Sequence, residues 1–140
     1  PTDSQKRIWE LLSAGVEAAL DLVRPGIDPA DLYRAAIGPL AGSGLPEFQR
    51  FHCGHAIGIS IYDPPIVTQD DPTASVFRIP SVDDGLLPGM VLNVEVGYYM
   101  QGQQGFLCED TFLVTETGCE RFTTAPKKLR LDDYLSEAAR

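Results

Sequence analysis

The chain has 140 residues and a mass of 15.3 kDa, enough for one domain or part of one. A hydrophobic share of 44% and a charged share of 22% are ordinary for a globular protein, and no apolar run nears the roughly 20 residues that a bilayer span requires. The net charge of −9, with no basic cluster larger than Lys127, Lys128 and Arg130, excludes the basic face of a nucleic-acid binder and reads as solubility and self-repulsion.

Ser4 is suited to cap a helix over residues 4–24, where Ile8, Leu11, Leu12, Val16, Ala19, Leu20 and Val23 recur at three- and four-residue spacing. Arg24 suits the negative end of that helix, and Pro25-Gly26 stops it. Asp28 before Pro29 is an N-cap with proline at the first helical position, so a second helix runs from there to about Leu40. Residues 41–44, Ala-Gly-Ser-Gly, form a loop.

From Phe51 the period changes. Residues 51–62 and 90–100 are apolar, β-branched and aromatic, and read as strands. Residues 106–115 and 119–124 flank Glu116-Thr117-Gly118 as a hairpin. Residues 63–89, rich in Pro, Asp, Ser and Thr, read as a long loop, and loops of that length are more often functional than idle. Residues 126–140 form a charged, weakly helical tail. Helices followed by antiparallel-looking strands argue for an α+β fold, and an incomplete one. No signal peptide is visible, and a chain that opens at Pro1 reads as cut from something longer.

Cys53, Cys108 and Cys119 form no CxxC pair and no even framework, which suits reduced thiols in a cytoplasmic protein. Three other residues carry more chemistry. His55, Glu95 and Glu109 each interrupt a strand-like apolar stretch, where an unpaired charge is costly. A metal site satisfies them. So does a structural histidine beside two glutamates on solvent-facing strand positions.

The three segments resemble the pita-bread metallopeptidase family, which includes methionine aminopeptidase, prolidase, aminopeptidase P and creatinase. Gly54-His55-Ala56-Ile57-Gly58 matches the family's segment for a metal-binding histidine. Pro88-Gly89-Met90, leading to Glu95, matches the segment for a metal-binding glutamate, and Glu109-Asp110-Thr111 matches that for the bridging glutamate. The opening helix with Arg24-Pro25-Gly26, and the stretch from Thr124 to Leu129, also resemble family segments.

The resemblance implies that residues 1–140 are the C-terminal portion of a pita-bread catalytic domain, with two helices before a curved antiparallel sheet. It implies a pair of divalent ions (Mn²⁺, Co²⁺ or Zn²⁺) in the parent protein and hydrolysis of a C–N bond. The implied enzyme is a Xaa-Pro dipeptidase or aminopeptidase acting on peptides. A creatinase-like hydrolase of a small non-peptide substrate and a catalytically silent binding domain are the alternatives. His55 would be a terminal ligand, Glu95 a ligand that also handles the proton, and Glu109 the bridging ligand. The family's two aspartate ligands lie on strands before the long helix, and this segment begins at that helix. The implied fragment is therefore inactive alone, binds at most one ion weakly, and associates with copies of itself or with the missing N-terminal strands.

The sequence also departs from the family. Tyr62 stands where its peptidases usually carry a second histidine, and Leu107 and Val96 replace an arginine and a proline common in prolidases. A phenol can donate to a developing oxyanion but is a poor acid at neutral pH. Tyr62 is thus a candidate catalytic residue as well as a candidate strand-end aromatic. Strict alternation along the strand points Cys53 to the face of His55 and His52 to the opposite face, which makes Cys53 a packing residue and His52 a structural one.

Overall fold

A computed structural model describes residues 1–45, 48, 50–60, 62–69, 84–123 and 129. The expectations for residues 70–83, for the tail and for most of the stretch from Thr124 lie outside the described residues.

Helix α1 spans Asp3–Leu20 and is capped by Thr2 rather than Ser4. Thr2 Oγ1 accepts from the Gln5 backbone at 3.2 Å, while Gln5 Oε1 accepts from the Thr2 backbone at 2.8 Å. This reciprocal box satisfies the free donors two residues earlier than Ser4 would. The helix ends four residues short of Arg24, where Leu22 and Val23 turn to bond three residues back. Helix α2 spans Pro29–Ile37, with Asp28 accepting from Ala30 at 2.8 Å as its cap, and a 3-10 turn continues it over Gly38–Leu40. The helices cross closely at Gly15, where an added Cβ would lie 2.2 Å from the Ala36 carbonyl oxygen.

Five strands follow: β1 His52–Ala56, β2 Asp63–Thr68, β3 Val91–Met100, β4 Gln104–Val114 and β5 Cys119–Arg121. They form one antiparallel sheet in the order β2-β1-β3-β4-β5. Strand β2 is a correction to the reading of residues 63–89 as a loop. Its second and third residues are Pro64 and Pro65, which an edge strand tolerates because one side of its ladder is unpaired. The strand expected over 51–62 is correspondingly shorter.

Both helices pack on one face of the sheet. Leu12 and Val16 of α1 and Leu32 of α2 are fully buried with Val94, Val96 and Phe112 of the sheet. The opposite face is open: Glu109 is exposed, Tyr99 is 60% exposed and Leu107 is 40% exposed. Among the described residues no helix is long and apolar enough to cross a membrane.

Candidate metal centre

The open face is built by β1, β3 and β4. Glu95 and Glu109 are direct Cα partners in the β3–β4 ladder, so their side chains leave the same face on adjacent strands. Asn93, two residues before Glu95, shares that face. Asp110, next to Glu109, lies on the helix side. It is 4% exposed, accepts from Thr123 Oγ1 at 2.6 Å, and sits 3.6 Å from Arg121, which also reaches Glu17 of α1. The Glu109-Asp110-Thr111 segment thus divides its two carboxylates between the two faces.

Strand β1 departs from regular alternation. Its register against β2 runs from His52↔Thr68 to His55↔Ile66, three residues against two, so β1 carries one extra residue there, before a second shift at Ala56↔Asp63 of one residue against three. Gly54 occupies the irregular stretch with φ +143°, and a Cβ there would lie 2.1 Å from the Asn93 carbonyl oxygen. The bulge corrects the alternation reading. Cys53 points into the core, fully buried, and His52 joins His55 on the open face. Burial pushes the Cys53 thiol up to about 12 and keeps it neutral.

Each candidate ligand has defined neighbours. His55 receives the Asn93 side-chain oxygen on its backbone N–H at 2.8 Å, and its Nδ1 lies 2.9 Å from the Ala56 carbonyl oxygen. A carbonyl can only accept, so Nδ1 carries a proton, and in the neutral ring Nε2 is left with its lone pair. Asn93 Nδ2 is 3.5 Å from that Nε2 and donates to Glu109 Oε1 at 2.6 Å. Glu95 Oε1 is 2.8 Å from Arg50 Nη2 and 2.9 Å from His52 Nε2. The close His52 imidazole, aided by the Arg50 charge, holds the Glu95 carboxyl below the usual carboxylate range against the opposing effect of burial. The Tyr62 ring lies edge-on to both imidazoles, with centroids 4.5 Å from His55 and 5.8 Å from His52.

The family model for metallopeptidase family M24 matches residues 1–116. The chain belongs to metallopeptidase family M24. Among curated proteins, this M24 chain is 30% identical over 129 residues to a Xaa-Pro dipeptidase of Pyrococcus horikoshii, covering 92% of this chain and 34% of the relative. Among solved structures it superimposes on dipeptidase PepE of Mycobacterium ulcerans with a TM-score of 0.78 at 29% identity, over 92% of this chain and 32% of that one. Zinc-substituted aminopeptidase P of E. coli, in complex with product, matches with a TM-score of 0.67 at 26% identity, over 100% and 36%. The two helices and open antiparallel sheet are therefore part of the pita-bread fold. The M24 chain spans about a third of the relatives it matches.

The donor set suits a divalent ion in kind. Two carboxylates and one imidazole are the ligands that Mn²⁺, Co²⁺ and Zn²⁺ accept. A histidine whose second nitrogen donates to a backbone carbonyl is the usual ligating arrangement. As the side chains stand, no three His, Cys, Asp or Glu among the described residues form a metal-holding group. Glu95 is turned to Arg50 and His52, and Glu109 to Asn93, so ligation requires Glu95 to use its other oxygen or release a partner.

Sequence reasoning passed over Arg50 and Asn93 and misplaced His52. The signal for His52 was a glycine inside a strand, which marks a bulge. Arg50 meets Glu95 across 45 residues of chain, and only the fold brings them together.

Proposed function

We propose that this chain is the C-terminal portion of a cytoplasmic, dinuclear metal-dependent hydrolase that cleaves Xaa-Pro peptide bonds, as a dipeptidase or aminopeptidase. The observation that carries the reading is the place of His55 Nε2, beside Asn93 on the same sheet face as the cross-strand pair Glu95 and Glu109. In this reading His55, Glu95 and Glu109 are ligands of two divalent ions, Mn²⁺ among them, with the remaining ligands supplied by the other two-thirds of the polypeptide. The ions supply a water of lowered pKa and polarise the scissile carbonyl. Glu95 accepts and returns the proton at its carboxylate. Tyr62 donates from its hydroxyl toward the oxyanion that develops on the substrate.

The segment alone is inactive in this reading and takes up at most one ion weakly, since catalysis needs a complete site with its outer partners. It also associates through its open face and strand edges, with itself or with the missing strands. One observation favours a second reading, a creatinase-like hydrolase of a small non-peptide C–N substrate: Tyr62 stands where the peptidases usually carry histidine.

The test is metal analysis of the whole polypeptide, followed by assays of Xaa-Pro dipeptides and creatine-like substrates with Mn²⁺, Co²⁺ and Zn²⁺. Two ions per chain and Xaa-Pro turnover that His55→Ala abolishes are expected. A protein that takes up no metal and cleaves none of these substrates is a silent binding domain instead.

A further inference from the structure

Two donors from the segment entering β1 converge on one oxygen of Glu95. Arg50 Nη2 lies 2.8 Å and His52 Nε2 2.9 Å from Glu95 Oε1, and the three side chains are only 14–15% exposed. Arg50 lies just outside β1 and a bend at Phe51 separates it from His52, so the turn of the chain brings the two side chains to the same carboxylate. A carboxylate that accepts from Arg50 and has the His52 imidazole within ion-pair distance of the same oxygen is restrained in rotation.

The donors are themselves anchored. The Tyr33 hydroxyl of α2 donates to the Arg50 carbonyl at 2.6 Å, and the Thr68 hydroxyl of β2 donates to the Phe51 carbonyl at 2.5 Å. Tyr33 is buried in the helix layer, so the backbone at Arg50 is tied to the rigid core on one side and to the sheet edge on the other. Position 50 is not needed for the β1–β2 ladder, whose recorded pairs begin at His52.

We propose that Arg50 and His52 are positioning residues for Glu95: they retain Oε1 and leave Oε2 to ligate. Glu95 then enters the metal centre through a single oxygen. The inference rests on the metal-centre reading above. Arg50 already balances the Glu95 charge, so the two donors act through orientation and not by adding attraction for the cation.

The test is Mn²⁺ binding by calorimetry and by electron paramagnetic resonance of free Mn²⁺. It uses the whole polypeptide as wild type, His52→Leu, His52→Gln and Arg50→Met, with circular dichroism to establish folding. His52→Leu and Arg50→Met are expected to weaken binding about tenfold or more, the usual effect of losing an outer-shell partner. His52→Gln carries a donor that reaches the place of Nε2, and restores affinity to within about threefold of wild type. A purely packing role predicts no such rescue. Equal affinities throughout, or tighter binding in His52→Leu and Arg50→Met, overturn the inference, because the two residues then merely compete with the ion. Should His52→Leu not fold, His52→Asn decides against His52→Gln: the shorter amide falls short of Glu95, and equal affinity in the two overturns the inference. A wild-type protein that takes up no Mn²⁺ overturns the metal-centre reading and this inference with it.

Discussion

Glu95 and Glu109 sit opposite each other on β3 and β4, yet the fold provides for them unequally. Glu95 receives a guanidinium and an imidazole, whereas Glu109, more exposed, receives the amide of Asn93. Like charges directly opposed on a ladder cost up to about 1 kcal/mol. In the metal-free chain Glu109→Gln should therefore preserve or slightly raise stability. Glu95→Gln should lower it by about 1–3 kcal/mol, because Arg50 and His52 lose the acceptor for which they were desolvated. Urea melts in the presence of a chelator check the asymmetry, and equal losses would contradict it.

The two imidazoles should be opposite tautomers when neutral. His55 gives its Nδ1 proton to the Ala56 carbonyl, while His52 presents Nε2 to the Glu95 carboxylate and must carry its proton there. Long-range nitrogen–proton correlation spectra distinguish the two forms directly. The same tautomer at both residues would refute one of these two assignments.

Gly54 is expected to resist any side chain. Its φ of +143° is unfavourable for other residues, and the Asn93 backbone oxygen occupies the space a Cβ would need. Gly54→Ala combines backbone strain of about 1–3 kcal/mol with a backbone overlap that no rotamer relieves. The variant should be insoluble or melt far below wild type. Gly38→Ala, where φ is −50° and nothing lies within 4 Å of an added Cβ, is the tolerated control.

Cys53 predicts a loss of stability in alkali. Its thiol is raised from the ordinary 9.0 to about 12 in the folded chain. A raised folded-state value means the contribution is complete below about pH 9 and disappears as pH climbs from there toward about 12, since the unfolded chain releases the proton first. The urea midpoint of the wild type should fall more between about pH 8 and about pH 10.5 than that of Cys53→Ala. Native Cys53 should also resist alkylation at neutral pH until the chain unfolds.

Much of the fold could be read from local patterns, because local chemistry determines those parts. Three- and four-residue spacing and the Asp28-Pro29 cap located both helices, and apolar β-branched runs located β3 and β4. The capping box at Thr2 and Gln5 was present in the sequence but masked by the nearer Ser4. Strand β2 escaped because two prolines argue against a strand unless it is known to lie at an edge, and edge position belongs to the whole sheet. Among the candidate ligands, the residue types at 55, 95 and 109 were legible from their segments. Their neighbours were not: no local pattern at Asn93 or Arg50 marks either one as a partner of these carboxylates. Alternation misled at His52 because it assumes an unbroken pleat.

The extra residue at Gly54 works as a frameshift in the pleat. A regular strand presents a side chain to a given face at every second position, with fixed parity. Here the parity changes within five residues, so positions 50, 52 and 55 all serve the open face while Cys53 remains in the core. Gain or loss of one residue in this stretch would exchange which imidazole is displayed beside the carboxylates without touching a codon for histidine. In a sheet of this kind, functional groups can be redealt by insertion and deletion as readily as by substitution.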